Sequence, residues 1–379
     1  MRVLNLITTL GAGGAETMLF RLLTRLDRSV FEPVVVSLAD SDITGRLLEE
    51  AGIAVHTAGL RRGIPHPRAL ARVSALIARL RPDVIQTWMY HADLLGGIAG
   101  AAAGIPVVWN VRHGEPEAGG TRWTTRWVAR ACAVLSGRVP HRIVCCSEAA
   151  RTAHERIGYR ADRIVVIPNG FDPSEFRPDA AARAAIRSEL GIGDDEVVIG
   201  SVARDDPAKD HATLLAAARL FTASGGRAHF VLCGAGVTAD NPRLAAMVRA
   251  VGAAGRVHLL GQRRDVTRVM AAMDILTSSS RIEGFPNVVG EAMACGIPCV
   301  VTDVGDSAYL VGETGVVVPP RDPGALAGAW TSLLRRGTDS RAALGRAARE
   351  RVSRMFSIES VVERYTELWL AVARAATGS

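Results

Sequence analysis

Short apolar runs alternate with longer amphipathic stretches along most of the chain, and clusters of Gly, Pro, Asn and Asp separate them. Arg2–Thr9, Phe31–Leu38, Ile53–His56, Asp83–Thr87, Pro106–Val111, Arg142–Cys146 and Arg163–Ile167 read as strands. Between them, helical spacing recurs at Ala15–Leu26, Ile43–Ala51, Pro67–Leu80, Ala92–Ala103 and Arg122–Gly137, and Ser147 suits the N-cap of one more helix, to Arg156. Apolar strands alternating with helices predict a parallel sheet covered on both faces, a Rossmann-like domain.

The segment Asn169–Pro178 (NGFDPSEFRP) is rich in turn formers and reads as a hinge, after which the alternation restarts. Strands are predicted at Val197–Ala203, His229–Cys233, Val257–Leu260, Ile275–Thr277, Pro298–Val301 and Gly315–Val318. Helices are predicted at Lys209–Thr222, Pro242–Ala250, Asp265–Ala272, Asn287–Cys295 and Pro323–Arg335. The chain then ends in helical pattern alone, Arg341–Met355 and Ser357–Ala375, the latter with Val361, Val362, Tyr365, Leu368, Trp369 and Val372 on one face. The organisation expected is therefore a domain over 1–178, a second over 179–356 and a terminal helix over 357–379.

Composition narrows the class. With 379 residues, 48% hydrophobic and 22% charged, the chain can build two cores, and disorder is excluded. There is no run of 18 apolar residues, and Met1–Leu10 leads directly into a strand pattern, so neither a membrane span nor a signal peptide is expected. The six cysteines show no C-x-x-C pair and read as buried thiols in a reducing cytoplasm. Residues 1–178 hold 22 Arg against 16 acidic residues, whereas 179–379 hold 23 basic against 22 acidic. That basic first half suits an anionic acceptor or peripheral contact with an anionic membrane surface. Nucleic acid is not expected, because the charge is not gathered into a stripe with interleaved aromatics. Of the 45 basic residues only Lys209 is a lysine. A compact, strongly hydrated ammonium differs from a guanidinium beside phosphate, so Lys209 is singled out.

The chemistry concentrates in Arg281–Val300, RIEGFPNVVGEAMACGIPCV. Glu283 falls just before a helix that Pro286 helps to start, and Glu291 about two turns later, so both can border one ligand without touching. Between them the backbone amides of Phe285, Asn287 and Val288, with the turn at Pro286, form a helix N-terminus suited to an anion. A carboxylate for sugar hydroxyls, amides for a diphosphate and a second carboxylate for ribose match the layout of a nucleotide sugar.

Glu283 and Glu291, spaced E-x7-E within EGFPNVVGEAMACGIPCV, resemble the signature of the retaining glycosyltransferases of family 4, which have the GT-B fold. That resemblance implies an α/β architecture of two Rossmann-like domains facing an inter-domain cleft, with the last helix crossing back to the N-terminal domain. It implies an acceptor bound mainly by the first domain and a nucleoside diphosphate sugar bound by the second. Arg204 and Lys209, in SVARDDPAKD, resemble the family's R-x4-K element, whose cations neutralise the departing diphosphate. By the same resemblance Gly13 and Gly14 close on the phosphates, with Glu16 beside them toward the acceptor. His113, in NVRHGE, lies on the transferred sugar, with Arg112 a weaker candidate on the acceptor side. Gly234, Gln262 and Arg263 belong to loops around the nucleobase, and Ser278–Ser280 read as a loop entry.

The loop Gly11–Glu16 fails the G-x-G-x-x-G test, since Glu16 stands where a third glycine would fall. No D-x-D ends a strand where a metal would be needed: Asp205 and Asp206 are adjacent, and Asp40-Ser41-Asp42 closes the second strand. The expected activity is a metal-independent, retaining transfer of a hexosyl unit from a UDP- or GDP-sugar to a glycan, lipid-linked or small-molecule acceptor, with no cofactor. Three alternatives are a non-hydrolysing sugar-nucleotide epimerase of the same fold, a nicotinamide oxidoreductase, and a GT-B protein that binds without catalysis.

Overall fold

The computed structural model describes residues 1–11, 13–39, 42–60, 67–112, 114, 123–253 and 255–377. It divides into two compact units, Met1–Gly170 with Ile358–Ser379, and Phe171–Ser357. The first change of unit thus falls inside the turn-rich segment Asn169–Pro178, ahead of position 178.

In the first unit the chain runs β1 (Arg2–Ile7), α1 (Gly14–Thr24), β2 (Glu32–Ser37), α2 (Ile43–Glu50), β3 (Ala54–Thr57), α3 (Pro67–Leu80) and β4 (Val84–Trp88). It continues with α4 (Tyr90–Ala102), β5 (Val107–Val111), α5 (Trp123–Leu135), β6 (Arg142–Cys145), α6 (Glu148–Arg156) and β7 (Ile164–Val166). The strands pair parallel in the order β3-β2-β1-β4-β5-β6-β7. Order reverses between β1 and β4, the switch point beside which doubly wound sheets place their ligands.

The second unit runs α7 (Ala180–Leu190), β8 (Val198–Val202), α8 (His211–Ala223), β9 (His229–Cys233), α9 (Pro242–Val251), β10 (Val257–Leu259), α10 (Val266–Ala271) and β11 (Ile275–Ser278). Then come α11 (Asn287–Ala294), β12 (Cys299–Thr302), α12 (Ser307–Val311), β13 (Gly315–Val318), α13 (Pro323–Arg335) and α14 (Thr338–Met355). Its strands are parallel in the order β10-β9-β8-β11-β12-β13, with the reversal between β8 and β11. The last helix, α15 (Ile358–Thr377), belongs to the first unit.

Each sheet has its own core. Around β1 and β4 gather Val3, Ile7, Met18, Leu22, Val35 and Trp88, with Ile358, Val361, Tyr365, Trp369 and Val372 of α15 packed among them. In the second unit Ile199, Leu214, Phe221, Phe230, Leu244, Ile275, Val300, Leu326 and Trp330 do the same. Two helices lie outside the sequence prediction. The first, α7, had its signals in place: Asp179 accepts from the Ala182 amide as N-cap, and Gly191 ends it at φ +65. The second, α12, has only five residues, too few for a period to show. Within α11, Gly290 fits where a Cβ would collide with the Phe171 ring.

Candidate functional site

In the second unit the site grows from two loops at the switch point. After β8, Asp206 caps a short turn at Pro207–Lys209, accepting from the Ala208 amide at 2.9 Å. Asp210 then adopts φ +49 and caps α8 through Thr213. After β11, the chain passes through Ser279 and Ser280 to Glu283. The two loops are tied by a bidentate ion pair: Arg281 Nε donates to Asp210 Oδ2 at 2.7 Å and Nη2 to Oδ1 at 2.9 Å. Burial pushes the Asp210 carboxyl up, but the bonds from Arg281 and Thr213 outweigh it and leave it below the usual carboxylate range. The Arg281 amide also donates to the Ala208 carbonyl at 2.7 Å.

That clamp sets Lys209 against Glu283. The ammonium donates to Glu283 Oε1 at 2.5 Å, and the Ser280 hydroxyl donates to the same oxygen at 2.7 Å. Both side chains are mostly buried, 22% and 10% exposed, so the pair is shielded from full solvent screening. The Ser279 hydroxyl donates to the Lys209 carbonyl at 3.0 Å, and the Thr302 hydroxyl donates to the Ser280 carbonyl at 2.6 Å. Ser279 and Ser280, read from the sequence as a loop entry, therefore fix the pair. Asp210 and Arg281 were not picked out at all, because an ion pair between residues 71 apart leaves no local pattern.

Arg204 is 62% exposed and donates through Nε to Asp206 Oδ2 at 3.1 Å. Its carbonyl faces the buried His211 ring, with Nε2 at 3.2 Å. Asp205 turns away to Arg243 and to the Asn241 amide. Gly234 lies at φ +156 where a Cβ would collide with the Ala203 carbonyl, so glycine lets the β8 and β9 loops meet. Gln262 is exposed. Arg263, assigned to the nucleobase loop, spends its guanidinium on Glu189 and on Asp265. These bonds raise its pKa further and give the side chain a structural duty.

Pro286 is the N-cap of α11 at φ −76 and ψ 105, one residue ahead of the first-turn position read from the sequence. Phe285 is buried, stacked on Phe171 at 6.3 Å and tilted against Phe356 at 5.5 Å, so its ring anchors the loop. Glu291 lies half-buried in α11, near Cys295, whose thiol is pushed up to about 12 by burial and then by the Glu291 charge. The first amides of a helix have no intrahelical acceptor, and its dipole favours an anion there.

In the first unit Gly13 is the N-cap of α1 and Gly14 its first residue. Glu16, expected toward the acceptor, is buried and turned back: Thr9 donates to Oε1 at 2.9 Å, and a Cβ on Gly13 would overlap its carboxylate. It sits at the third helical position of α1 and shapes the loop ahead of it. Arg112, the other acceptor candidate, donates to Asn169 and lies over the Trp88 ring at 5.5 Å. His113, Asp40 and Ser41 lie outside the described residues. Among the described residues no three His, Cys, Asp or Glu side chains are placed to hold a metal ion.

The chain thus has two doubly wound parallel sheets, one carrying a cation, a carboxylate and a helix N-terminus at its switch point, groups whose chemistry suits a phosphate-bearing ligand. Residues 12–175 match the family described as Glycosyltransferase Family 4, and residues 196–336 match Glycosyl transferases group 1. The chain belongs to the family 4 glycosyltransferases with the GT-B fold, and it is a glycosyltransferase. It is 26% identical over 80% of its length to a Bacillus subtilis protein named putative glycosyltransferase EpsF, covering 79% of that protein. It is 25% identical over 64% of its length, and 64% of the relative, to an Escherichia coli enzyme. That enzyme is named UDP-Gal:alpha-D-GlcNAc-diphosphoundecaprenol alpha-1,3-galactosyltransferase. Among solved structures, the fold matches HepE of Anabaena in complex with UDP-glucose at a TM-score of 0.85, with 24% identity over 98% of this chain and 100% of that one.

Proposed function

We propose that this chain moves a hexosyl unit from a UDP-sugar, with GDP-sugar the second choice, to a glycan or lipid-linked acceptor, retaining anomeric configuration and using no metal. The observation that carries the reading is the Lys209–Glu283 pair at the β8/β11 switch point. Breaking a glycosyl–phosphate bond puts growing negative charge on the leaving diphosphate, and fixed cations stabilise it as it forms. A donor diphosphate would compete with Glu283 for the Lys209 ammonium. The carboxylate, still held by Ser280, would then accept from the sugar hydroxyls. Arg204, exposed and flexible on its Asp206 partner, closes on the same phosphates, with the N-terminal turn of α11 at Asn287–Val288 completing the cradle. Glu291 takes the ribose hydroxyls, and the Gly234 and Gln262 loops the base. Gly13 and Gly14 are assigned to the donor phosphates and His113 to the transferred sugar of the same reaction. The UDP-glucose complex of HepE supports the choice of UDP, and the diphosphoundecaprenol acceptor of the Escherichia coli relative supports a lipid-linked acceptor.

The test is transfer from UDP-, GDP- and ADP-hexoses in the presence of EDTA, read by nucleotide release, with product configuration assigned by NMR. Transfer from a UDP-hexose with retention is expected, and Glu283→Ala is expected to lower it by at least ~100-fold, the size of one lost transition-state contact. An inverted product, abolition by EDTA, or near-normal turnover of a folded Glu283→Ala protein would each contradict the corresponding part of the reading.

A further inference from the structure

The outer face of α5 breaks the usual rule for a surface helix. Its inner side buries Val128, Ala129, Cys132 and Ala133. The opposite side leaves Trp123 and Trp127 each 65% exposed and Val134 76% exposed. Steps of four and seven residues line the three up in one stripe about 16 Å long. A solvated helix face is ordinarily polar, and tryptophan is otherwise an interior residue in this chain: Trp88, Trp109, Trp330 and Trp369 are fully buried.

The sequence around the stripe carries charge of one sign. Arg130 and Arg138 are exposed; helical spacing puts Arg130 on the same side as the tryptophans, and Arg138 follows in the turn that leaves α5. Across residues 118–147 there are five arginines, 122, 126, 130, 138 and 142, and no Asp or Glu. Indole rings favour the boundary between headgroups and acyl chains, where the ring is apolar and the N–H stays wet, and nearby arginines attract anionic lipid. A second copy is a poorer occupant, because a two-fold contact would set the same arginines against one another.

We propose that the exposed face of α5 is a docking surface for an anionic lipid bilayer, the helix lying in the plane of the headgroups. This goes beyond the donor chemistry and does not depend on it. The test is flotation of the full chain with vesicles of phosphatidylcholine alone or mixed with phosphatidylglycerol. Binding to the mixed vesicles is expected, weakened by salt, and reduced at least about tenfold both by Trp123→Ala with Trp127→Ala and by Arg130→Glu with Arg138→Glu. Both variants should keep wild-type UDP affinity and transfer to a water-soluble acceptor. The arginine variant changes only exposed positions, so it tests the proposal even where the tryptophan variant folds poorly. Absence of binding by the full chain, or binding unchanged in both variants, would overturn it. So would a wild-type dimer in sedimentation that the tryptophan variant dissociates, which would make the face a contact between copies.

Discussion

At the scale of the residue, the site is held by a short relay. Asp210 performs three tasks: it adopts a left-handed backbone angle, caps α8 and grips Arg281, which fixes the loop that carries Glu283. Asparagine tolerates the left-handed region and can cap, so Asp210→Asn removes mainly the ion pair, whereas Asp210→Ala removes all three. Urea unfolding is expected to show a loss of about 1 kcal/mol for the first and about 2–3 kcal/mol for the second. Calorimetry should show both weakening donor binding several-fold, because Lys209 and Glu283 lose register. Donor affinity equal to wild type in both variants would show that the clamp does not position the pair.

Asp93 is the other residue with a measurable consequence. Burial pushes its carboxyl up to about 7, against the opposing bonds from the Thr87 hydroxyl at 2.6 Å and the Asn110 amide. Its second oxygen has no hydrogen-bond partner among the described residues. A carboxyl raised on folding contributes stability fully below its unfolded value, near 4, and loses it as pH rises through 7. The upper bound on that loss is about 4 kcal/mol, from 1.36 kcal/mol per unit. Stability of the wild type relative to Asp93→Asn should therefore fall steadily from pH 4 to pH 7.5. A difference that stays constant over that range would remove Asp93 from the account.

At the scale of the element, α15 shows what a sequence pattern reveals and what it omits. The spacing of Val361, Tyr365, Trp369 and Val372 makes the amphipathic helix and its buried stripe legible. The partners were not legible, since they are polar groups inside strands that read as apolar. Trp369 Nε1 donates to Gln86 Oε1 at 2.9 Å, Asn110 Nδ2 donates to the Tyr365 hydroxyl at 2.9 Å, and Tyr365 stacks on Trp88. These bonds make the seat of α15 specific, because each unpaired group would remain buried and unsatisfied. Trp369→Phe keeps an aromatic ring but strands the Gln86 oxygen, so a loss of about 1–3 kcal/mol is expected in urea unfolding. An unchanged midpoint would show that the helix is held by apolar contact alone.

At the scale of the whole molecule, the alternation of strands and helices made both sheets and their parallel sense readable, because period and element length are local properties. Strand order is not local. Nothing in the runs themselves says that β11 lies beside β8, and that adjacency is what brings Lys209 to Glu283 across 74 residues. The motif located both residues, and the fold supplied their encounter. At Glu16, Arg112 and Arg263 the side chains have nearby protein partners that a motif does not register.

The central claim is that this encounter is the seat of the donor diphosphate. Titration calorimetry of UDP into the purified chain, in EDTA, tests it most directly. The wild type should bind, and Lys209→Ala should bind at least about tenfold more weakly, as expected for a lost charge-assisted contact. Glu283→Gln, which frees the ammonium, should bind UDP as well as the wild type or better. Wild-type affinity in Lys209→Ala would contradict the account.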